Sequence, residues 1–97
     1  MIVGEVVGTL VATRKEERLR GLKFQIVKIV SVDLKPTGQF LVVADAVGAG
    51  QGELVLCAQG SSARLTDSTK ETPIDAVIMG IIDTIELHGE KVFEKYA

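Results

Sequence analysis

Apolar, β-branched runs alternate along the chain with short polar or glycine-containing segments. Such runs favour strands, because branched side chains pack well on a pleated surface. About six strands are predicted, at residues 2–13, 22–32, 39–47, 54–58, 74–87 and 91–96. Regular strand spacing with turn signals is typical of a small barrel. The predicted fold class is therefore all-β, a small closed or nearly closed β-barrel.

Two details of the pattern refine this picture. In residues 22–32, apolar residues occupy even positions up to Ile26, and the phase then slips, with Val27 and Ile29 apolar around Lys28. Since successive side chains of a strand face opposite sides, this one-residue slip predicts a β-bulge there. Residues 40–44 are continuously apolar, which predicts a central strand, covered on both sides.

One short helical turn is predicted after the fourth strand. Ser61 or Ser62 can cap its start, and residues 63–65 are good helix formers. Residues 74–87 also satisfy helical spacing, but their β-branching, Gly80 and the preceding Pro73 favour a strand. The chain is thus predicted to hold one short helix among its strands.

The glycine-rich stretch at residues 45–53, called the glycine loop below, carries three glycines in five positions. Alternating glycines permit positive φ and close backbone approach. A phosphate-binding loop would need a following helix and a Lys-Ser or Lys-Thr pair, whereas another strand follows here. Nucleotide binding is therefore disfavoured. We expect a tight turn where other backbone, including that of another subunit, comes close.

Composition adds limits on the class of protein. The 97 residues predict a single domain, residues 1–97, with a small core. A mean hydropathy of +0.30 is high for such a chain and suggests apolar surface hidden by self-association. The net charge of −2 exerts no general attraction for nucleic acid or anionic lipid. We expect no signal peptide, no membrane span, no cofactor and no internal disulfide, since there is one cysteine.

Residues able to carry chemistry are few. His88 stands at a predicted turn, and Cys57 lies inside an apolar strand, so a solvated histidine and an inert buried thiol are expected. Their separation does not predict a metal site. No catalytic, cofactor-binding or metal-binding residue is therefore assigned.

Three aspartates interrupt strongly apolar strands: Asp45, Asp75 and Asp83. Asp75 and Asp83 are eight positions apart and would share a strand face, so a paired-carboxylate acid–base site is conceivable. The favoured interpretation is that the aspartates accept backbone hydrogen bonds or pair with basic side chains. The basic candidates are Arg14, Lys28 and Arg64.

The alternative function is an OB-like barrel that binds single-stranded nucleic acid or another anionic ligand. Such a barrel needs exposed aromatic residues and a basic groove. The aromatic residues are Phe24, Phe40, Phe93 and Tyr96. The basic cluster consists of Arg14, Lys15, Arg18, Arg20 and Lys23, diluted by Glu16 and Glu17. Both signals are weak.

Five sequence blocks occur in an order and spacing that suggest a family. They are GTLVAT at residues 8–13, GLKF at 21–24, ADAVGAGQGE at 44–53, GSSAR at 60–64 and TPIDAVIMGIID at 72–83. With these blocks the chain resembles the bacterial microcompartment vertex proteins of the EutN/CcmL type. The departures concern residues 66–71 and the tail after His88.

This resemblance implies an OB-like β-barrel subunit that assembles into a pentamer. Pentamers of the family close the fivefold corners of a polyhedral shell in the bacterial cytoplasm, hexagonal shell proteins form its facets, and the subunits have no catalytic activity. The residues implied at subunit contacts or the central opening are Asp45, Gly48, Ala49, Gly50, Gln51, Gly52, Glu53, Gly60, Ser61, Ser62, Ala63 and Arg64. The resemblance leaves open which segment lines the opening, and whether the shell is a carboxysome or a catabolic compartment.

Overall fold

The computed structural model describes residues 1–13 and 15–96, so Arg14, a predicted partner of the aspartates, lies outside the described residues. Seven strands are present: β1 (Ile2–Leu10), β2 (Phe24–Val30), β3 (Pro36–Asp45), β4 (Leu54–Gln59), β5 (Ala76–Ile81), β6 (Thr84–Leu87) and β7 (Glu90–Glu94). Two 3₁₀ helices cover Glu17–Leu19 and Gly60–Arg64. The all-β fold class is confirmed. In the described part of the chain, no helix is long and apolar enough to cross a membrane.

Five of the strands form a closed barrel in the order β1-β2-β3-β5-β4. Neighbouring strands are antiparallel except β3 and β5, whose parallel ladder joins Ala44 to Val77 and Asp45 to Ile78. This short parallel contact closes the barrel. No sequence pattern indicated it, because pairing between distant strands depends on the whole chain.

The prediction of one strand over residues 74–87 is wrong in one respect, because the structure divides it. β5 ends at Ile81, and the Ile82 N–H donates to the Leu54 carbonyl at 2.8 Å, which completes the barrel. The next residues leave the barrel and form the β6–β7 hairpin, a separate two-stranded sheet. Its two-residue turn is His88-Gly89, with φ of 54° and 81°, as the favoured hairpin turns require.

The predicted bulge near Ile26 is also misplaced. Gln25 is 2% exposed and Val27 is fully buried, so both point into the barrel and the alternation of β2 is unbroken there. The apparent slip arises because a polar residue occupies a core position. The extra residue lies on the opposite strand, between Val6 and Gly8 of β1, which pair with Val27 and Ile26, and a second register shift lies between Lys28 and Val30 of β2.

The third strand is less enclosed than its apolar run predicted. Val43 is buried, but Phe40 and Val42 are 63% and 46% exposed. The strand begins at Pro36, within the predicted turn, and meets β5 only at its last residues, Ala44 and Asp45. Its first half therefore has a neighbouring strand on one side only.

A second apolar cluster lies beside the main core. It consists of Ala44, Ala58, Ala63, Ile74 and Val77. The 3₁₀ helix Gly60–Arg64 contributes Ala63 and lies where a short helix was predicted. The predicted serine cap is wrong, because Ser61 and Ser62 lie within the helix and its N-cap, Gln59, makes no side-chain hydrogen bond. The Thr69 hydroxyl donates to the Ala63 carbonyl at 2.6 Å, so the segment that follows is tied to this cluster.

Candidate functional site

The glycine loop is organised around the carboxylate of Asp45. Its Oδ1 accepts hydrogen bonds from the backbone N–H groups of Val47 at 3.0 Å and Gly48 at 2.9 Å. Its Oδ2 accepts one from Ala49 at 2.8 Å. Three consecutive N–H groups thus converge on one side chain, as short acidic side chains favour in turns. The predicted backbone-binding role of Asp45 is confirmed.

Gln25 joins this loop to the barrel interior. Its amide nitrogen donates to the Ala49 carbonyl at 3.0 Å and to the Asp45 carboxylate at 3.4 Å. Its oxygen accepts from the Thr9 hydroxyl at 3.3 Å. A buried amide must find such partners, since an unsatisfied one is costly. The sequence carried no signal for this role, because Gln25 alternates with apolar residues as a surface residue would.

The end of the loop is anchored by Glu53. Its Oε1 accepts from the Gly50 N–H at 2.6 Å, and its Oε2 accepts from the Lys95 ammonium at 2.5 Å. The hydrogen bond from Lys95 holds the pKa of Glu53 below its ordinary value, and Glu53 in turn raises the pKa of Lys95. The backbone of Val6 adds two bonds, donating to the Glu53 carbonyl at 3.0 Å and accepting from Gly52 at 2.8 Å.

The three loop positions hold glycine for different structural reasons. Gly48 and Gly52 have φ of 76° and 83°, a conformation that other residues rarely adopt. The turn itself therefore explains these two. Gly50 is not among the positive-φ residues, and a Cβ there would approach only Glu53 Oε1, at 3.4 Å. The subunit has room for a side chain at Gly50.

The predicted contact residues divide into buried and exposed members. Ala49 is 1% exposed and Ala63 is fully buried, so both belong to the subunit's own cores. Any contact made by these two segments must come from their exposed neighbours. The exposed predicted residues are Gly48, Gly50, Gln51, Gly52, Gly60, Ser61, Ser62 and Arg64.

The two predicted segments leave the barrel in opposite directions along β5. Asp45, where the glycine loop starts, pairs with Ile78 of β5. Gln59, which precedes the second segment, pairs with Ala76 of the same strand. The Arg64 guanidinium donates to the Ile74 carbonyl at 3.2 Å and fixes the second segment there. The glycine loop instead leads into Leu54, whose carbonyl accepts from the Ile82 N–H, so the topology places the two segments toward opposite ends of β5.

The family model described as "Ethanolamine utilisation protein EutN/carboxysome" matches residues 1–83. The chain belongs to the EutN/CcmL family. It is 39% identical to the carboxysome shell vertex protein CcmL of Gloeobacter violaceus, over 98% of this chain and 95% of that protein. The solved structure of that CcmL superposes with a TM-score of 0.96, covering all of both chains at 38% identity.

A second EutN/CcmL relative is described as a pentamer. The microcompartment shell vertex protein GrpN of Rhodospirillum rubrum is 45% identical over 89% of this chain and 97% of its own length. Its structure, described as a pentameric microcompartment shell protein, gives a TM-score of 0.81 over 90% of this chain and 98% of GrpN. The resemblance suggested by the sequence blocks is confirmed. The protein is a vertex protein of a microcompartment shell, within the bacterial cytoplasm.

The remaining candidate residues fit a structural member of the EutN/CcmL family. Burial raises the pKa of the Cys57 thiol to about 11, so the thiol is unreactive at neutral pH, as predicted. Asp75 and Asp83 do not share a strand face, because β5 lies between them and ends before Asp83. Both are exposed, so the shared-face prediction is wrong. His88 is exposed in the hairpin turn, where the sequence predicted it.

The basic cluster that suggested nucleic-acid binding is partly neutralised by its own neighbours. Arg18 pairs with Glu16 and Arg20 pairs with Glu17, each at 2.8 Å. These exposed pairs lower the local positive charge. Among residues 1–13 and 15–96, no group of three or more His, Cys, Asp or Glu side chains is placed to hold a metal ion.

Proposed function

We propose that five copies of this chain form a closed ring that caps a fivefold vertex of the shell, surrounded by hexagonal shell proteins. The supporting observation is the 45% identity to GrpN, which is described as pentameric. Residues 1–97 would act as one assembly domain. The subunit would have no catalytic activity and no nucleic-acid or membrane partner, in keeping with a net charge of −2 and the paired arginines.

The shape of the isolated subunit supports assembly. It exposes 6021 Å², whereas a compact monomer of 10.4 kDa would expose about 5400 Å². The exposed surface of the subunit includes large apolar side chains. Those at least half exposed are Met1, Val11, Val32, Phe40, Leu65 and Tyr96. A ring of heterologous contacts would cover part of this surface.

The exposed parts of the glycine loop and of residues 60–64 are the proposed contact segments near the fivefold axis. Small residues suit an axis where five copies of one segment meet. Gly50 is the informative position, because the turn does not require glycine there and the subunit leaves space around it. A neighbouring subunit that packs against Gly50 would explain its small size.

Replacing Gly50 with leucine tests this contact. We expect Gly50→Leu to abolish pentamers while the subunit still folds, since a side chain there meets only Glu53 Oε1 within the subunit. Native mass spectrometry measures the rings, and circular dichroism measures the fold. Gly80→Leu is the matched control, because a Cβ at Gly80 also meets open space. An intact Gly50→Leu ring would refute the proposed contact.

Shell closure tests the function itself. The chain would be expressed together with a hexagonal shell protein, and the particles examined by electron microscopy. We expect closed polyhedral particles with the wild-type chain and open or elongated ones with Gly50→Leu. Particles that close equally well without this chain would contradict its role at the vertices.

A further inference from the structure

The first half of β3 has an open edge. In the described part of the chain, β5 pairs with β3 only at Ala44 and Asp45, and β2 covers the opposite edge. The strand starts at Pro36, so its edge is unpaired from there to Val43. An exposed unpaired edge is a template for another strand.

Hydrogen-bond geometry identifies which main-chain groups face this edge. The Asp45 N–H donates to the Lys23 carbonyl at 2.8 Å, which makes these two a hydrogen-bonded pair of the β2–β3 ladder. Antiparallel ladders alternate hydrogen-bonded and non-bonded pairs. The register from Ala44 to Phe40 is continuous, so Val43 and Leu41 bond to β2. The N–H and C=O groups of Phe40 and Val42 therefore point to the open edge.

The side chains at the same positions are apolar and exposed. Phe40 is the more exposed of the two, and Val42 is about half exposed. Natural proteins usually protect an open edge with charged residues, a bulge or a covering segment. Here the described edge instead presents a phenylalanine and a valine beside free main-chain groups. This combination is suited to strand addition, where backbone bonds bind and side chains select.

The β6–β7 hairpin also has unpaired strand edges. Within residues 1–13 and 15–96, its strands pair only with each other, in a sheet separate from that of the barrel. A two-stranded sheet by itself is marginally stable in water. Its ties to the barrel include the ion pair between Lys95 and Glu53. The subunit measures 46 Å along its longest axis and about half that across, as expected for an element that extends from a barrel.

We propose that, in the ring, the β6–β7 hairpin of one subunit adds to the open edge of β3 on its neighbour. The inference rests on the proposed ring, because a ring needs two unlike surfaces on every subunit. The open edge and the hairpin are two such surfaces, each unpaired within its own subunit. Pairing them extends the barrel sheet across the contact and covers Phe40 and Val42.

Val42→Pro tests the edge directly. Proline removes the N–H that faces the open edge, whereas the bonds of Leu41 and Val43 to β2 remain. We expect the subunit concentration needed for half-assembly to rise about tenfold or more, because every contact of the ring loses a bond. Val42→Ala keeps the N–H and should raise this subunit concentration less. Native mass spectrometry over a dilution series measures assembly, and urea unfolding checks that each subunit folds.

A photo-crosslink identifies the segment that covers the edge without altering its backbone. Phe40 would be replaced by p-benzoylphenylalanine, the assembled protein irradiated, and the crosslinked peptides sequenced. Crosslinks between subunits to residues 84–94 support the proposal. Crosslinks to any other segment overturn it. So does a dilution series in which the Val42→Pro and Val42→Ala variants form rings at the same subunit concentration. A wild-type chain that forms no ring would overturn both this inference and the proposed function.

Discussion

The barrel and the hairpin differ in how far contacts within a single subunit explain their stability. In the barrel, Gln25 and Asp45 bind each other and the loop backbone. Every buried side-chain polar atom in the described part of the chain has a hydrogen-bond partner. The hairpin is a separate two-stranded sheet whose ties to the barrel include the ion pair between Lys95 and Glu53 and a cavity that Phe93 lines together with Leu54. The barrel is therefore stabilised within its own subunit, whereas we propose that the hairpin is completed by the barrel of a neighbouring subunit.

The two regions also relate differently to the family. The matched family region, residues 1–83, ends directly before β6. It contains the barrel and the glycine loop but not the hairpin. The structural match to CcmL nevertheless covers all of this chain, so the hairpin is part of the subunit that the two proteins share. Substitutions in the barrel core should change subunit stability, whereas substitutions in the hairpin or at the open edge of β3 should change assembly.

The largest expected effect is in the barrel wall, at Gly4. A Cβ there would lie 2.1 Å from Val27 Cγ1 and 2.9 Å from the Lys28 carbonyl oxygen, so backbone or core must move. We expect Gly4→Ala to lower the free energy of unfolding by about 1–3 kcal/mol, measured by urea denaturation. Gly8→Ala is the control, since its Cβ meets Ile26 at 3.4 Å, and it should cost much less. Equal losses would show that Gly4 is not tightly packed.

An intermediate effect is expected at Asp45. In Asp45→Asn the amide oxygen can keep the bonds from Val47 and Gly48, but the new NH₂ group would face the donors of Ala49 and Gln25. We expect a loss of roughly 1–2 kcal/mol in the free energy of unfolding, from unsatisfied donors. Chemical denaturation measures it.

Asp75→Asn removes a charge at an exposed position and serves as the control for Asp45→Asn. It should alter the free energy of unfolding by no more than about 0.5 kcal/mol. Similar losses in the two variants would mean that charge, not hydrogen bonding, sets the stability of the glycine loop.

The smallest effect is expected where hairpin and barrel meet, at Lys95. The pKa of Glu53 is held below its usual 4.5, so the pair stabilises above that value and the gain is lost as the pH falls through the folded pKa. The pKa of Lys95 is raised above 10.5, so the gain is also lost as the pH rises through that folded value. The contribution of this solvent-accessible pair is therefore present between these limits.

We expect Lys95→Met to speed hydrogen exchange of the β6–β7 amides roughly a few-fold at pH 7, with no difference from wild type once Glu53 is protonated. Lys91→Met removes the more exposed pair with Glu94 and should change exchange less. A Lys95→Met effect that persists at low pH would exclude the ion pair as its cause.

Several features of this molecule could not be read from its residues one by one. Gln25 has the spacing of a surface residue and lies in the core, because its partners, Thr9 and the glycine loop, come from distant parts of the chain. Gly4 interrupts an apolar strand because the neighbouring strand β2 leaves no room for a Cβ there. This close approach exists only in the folded sheet. The break after Ile82 depends on its bond to Leu54, which local propensity does not report.

The sequence by itself determined the strand-rich class, the turns and the family, since β-branched runs, glycine spacing and five ordered blocks are local properties. Only the tertiary structure decided how the strands close, which glycines the turn requires, and which edge remains open. The parallel contact of β3 with β5 covers just Ala44 and Asp45, and this leaves Phe40 and Val42 at an edge. Such pairings join residues far apart in the chain, so their register is set by the assembled core.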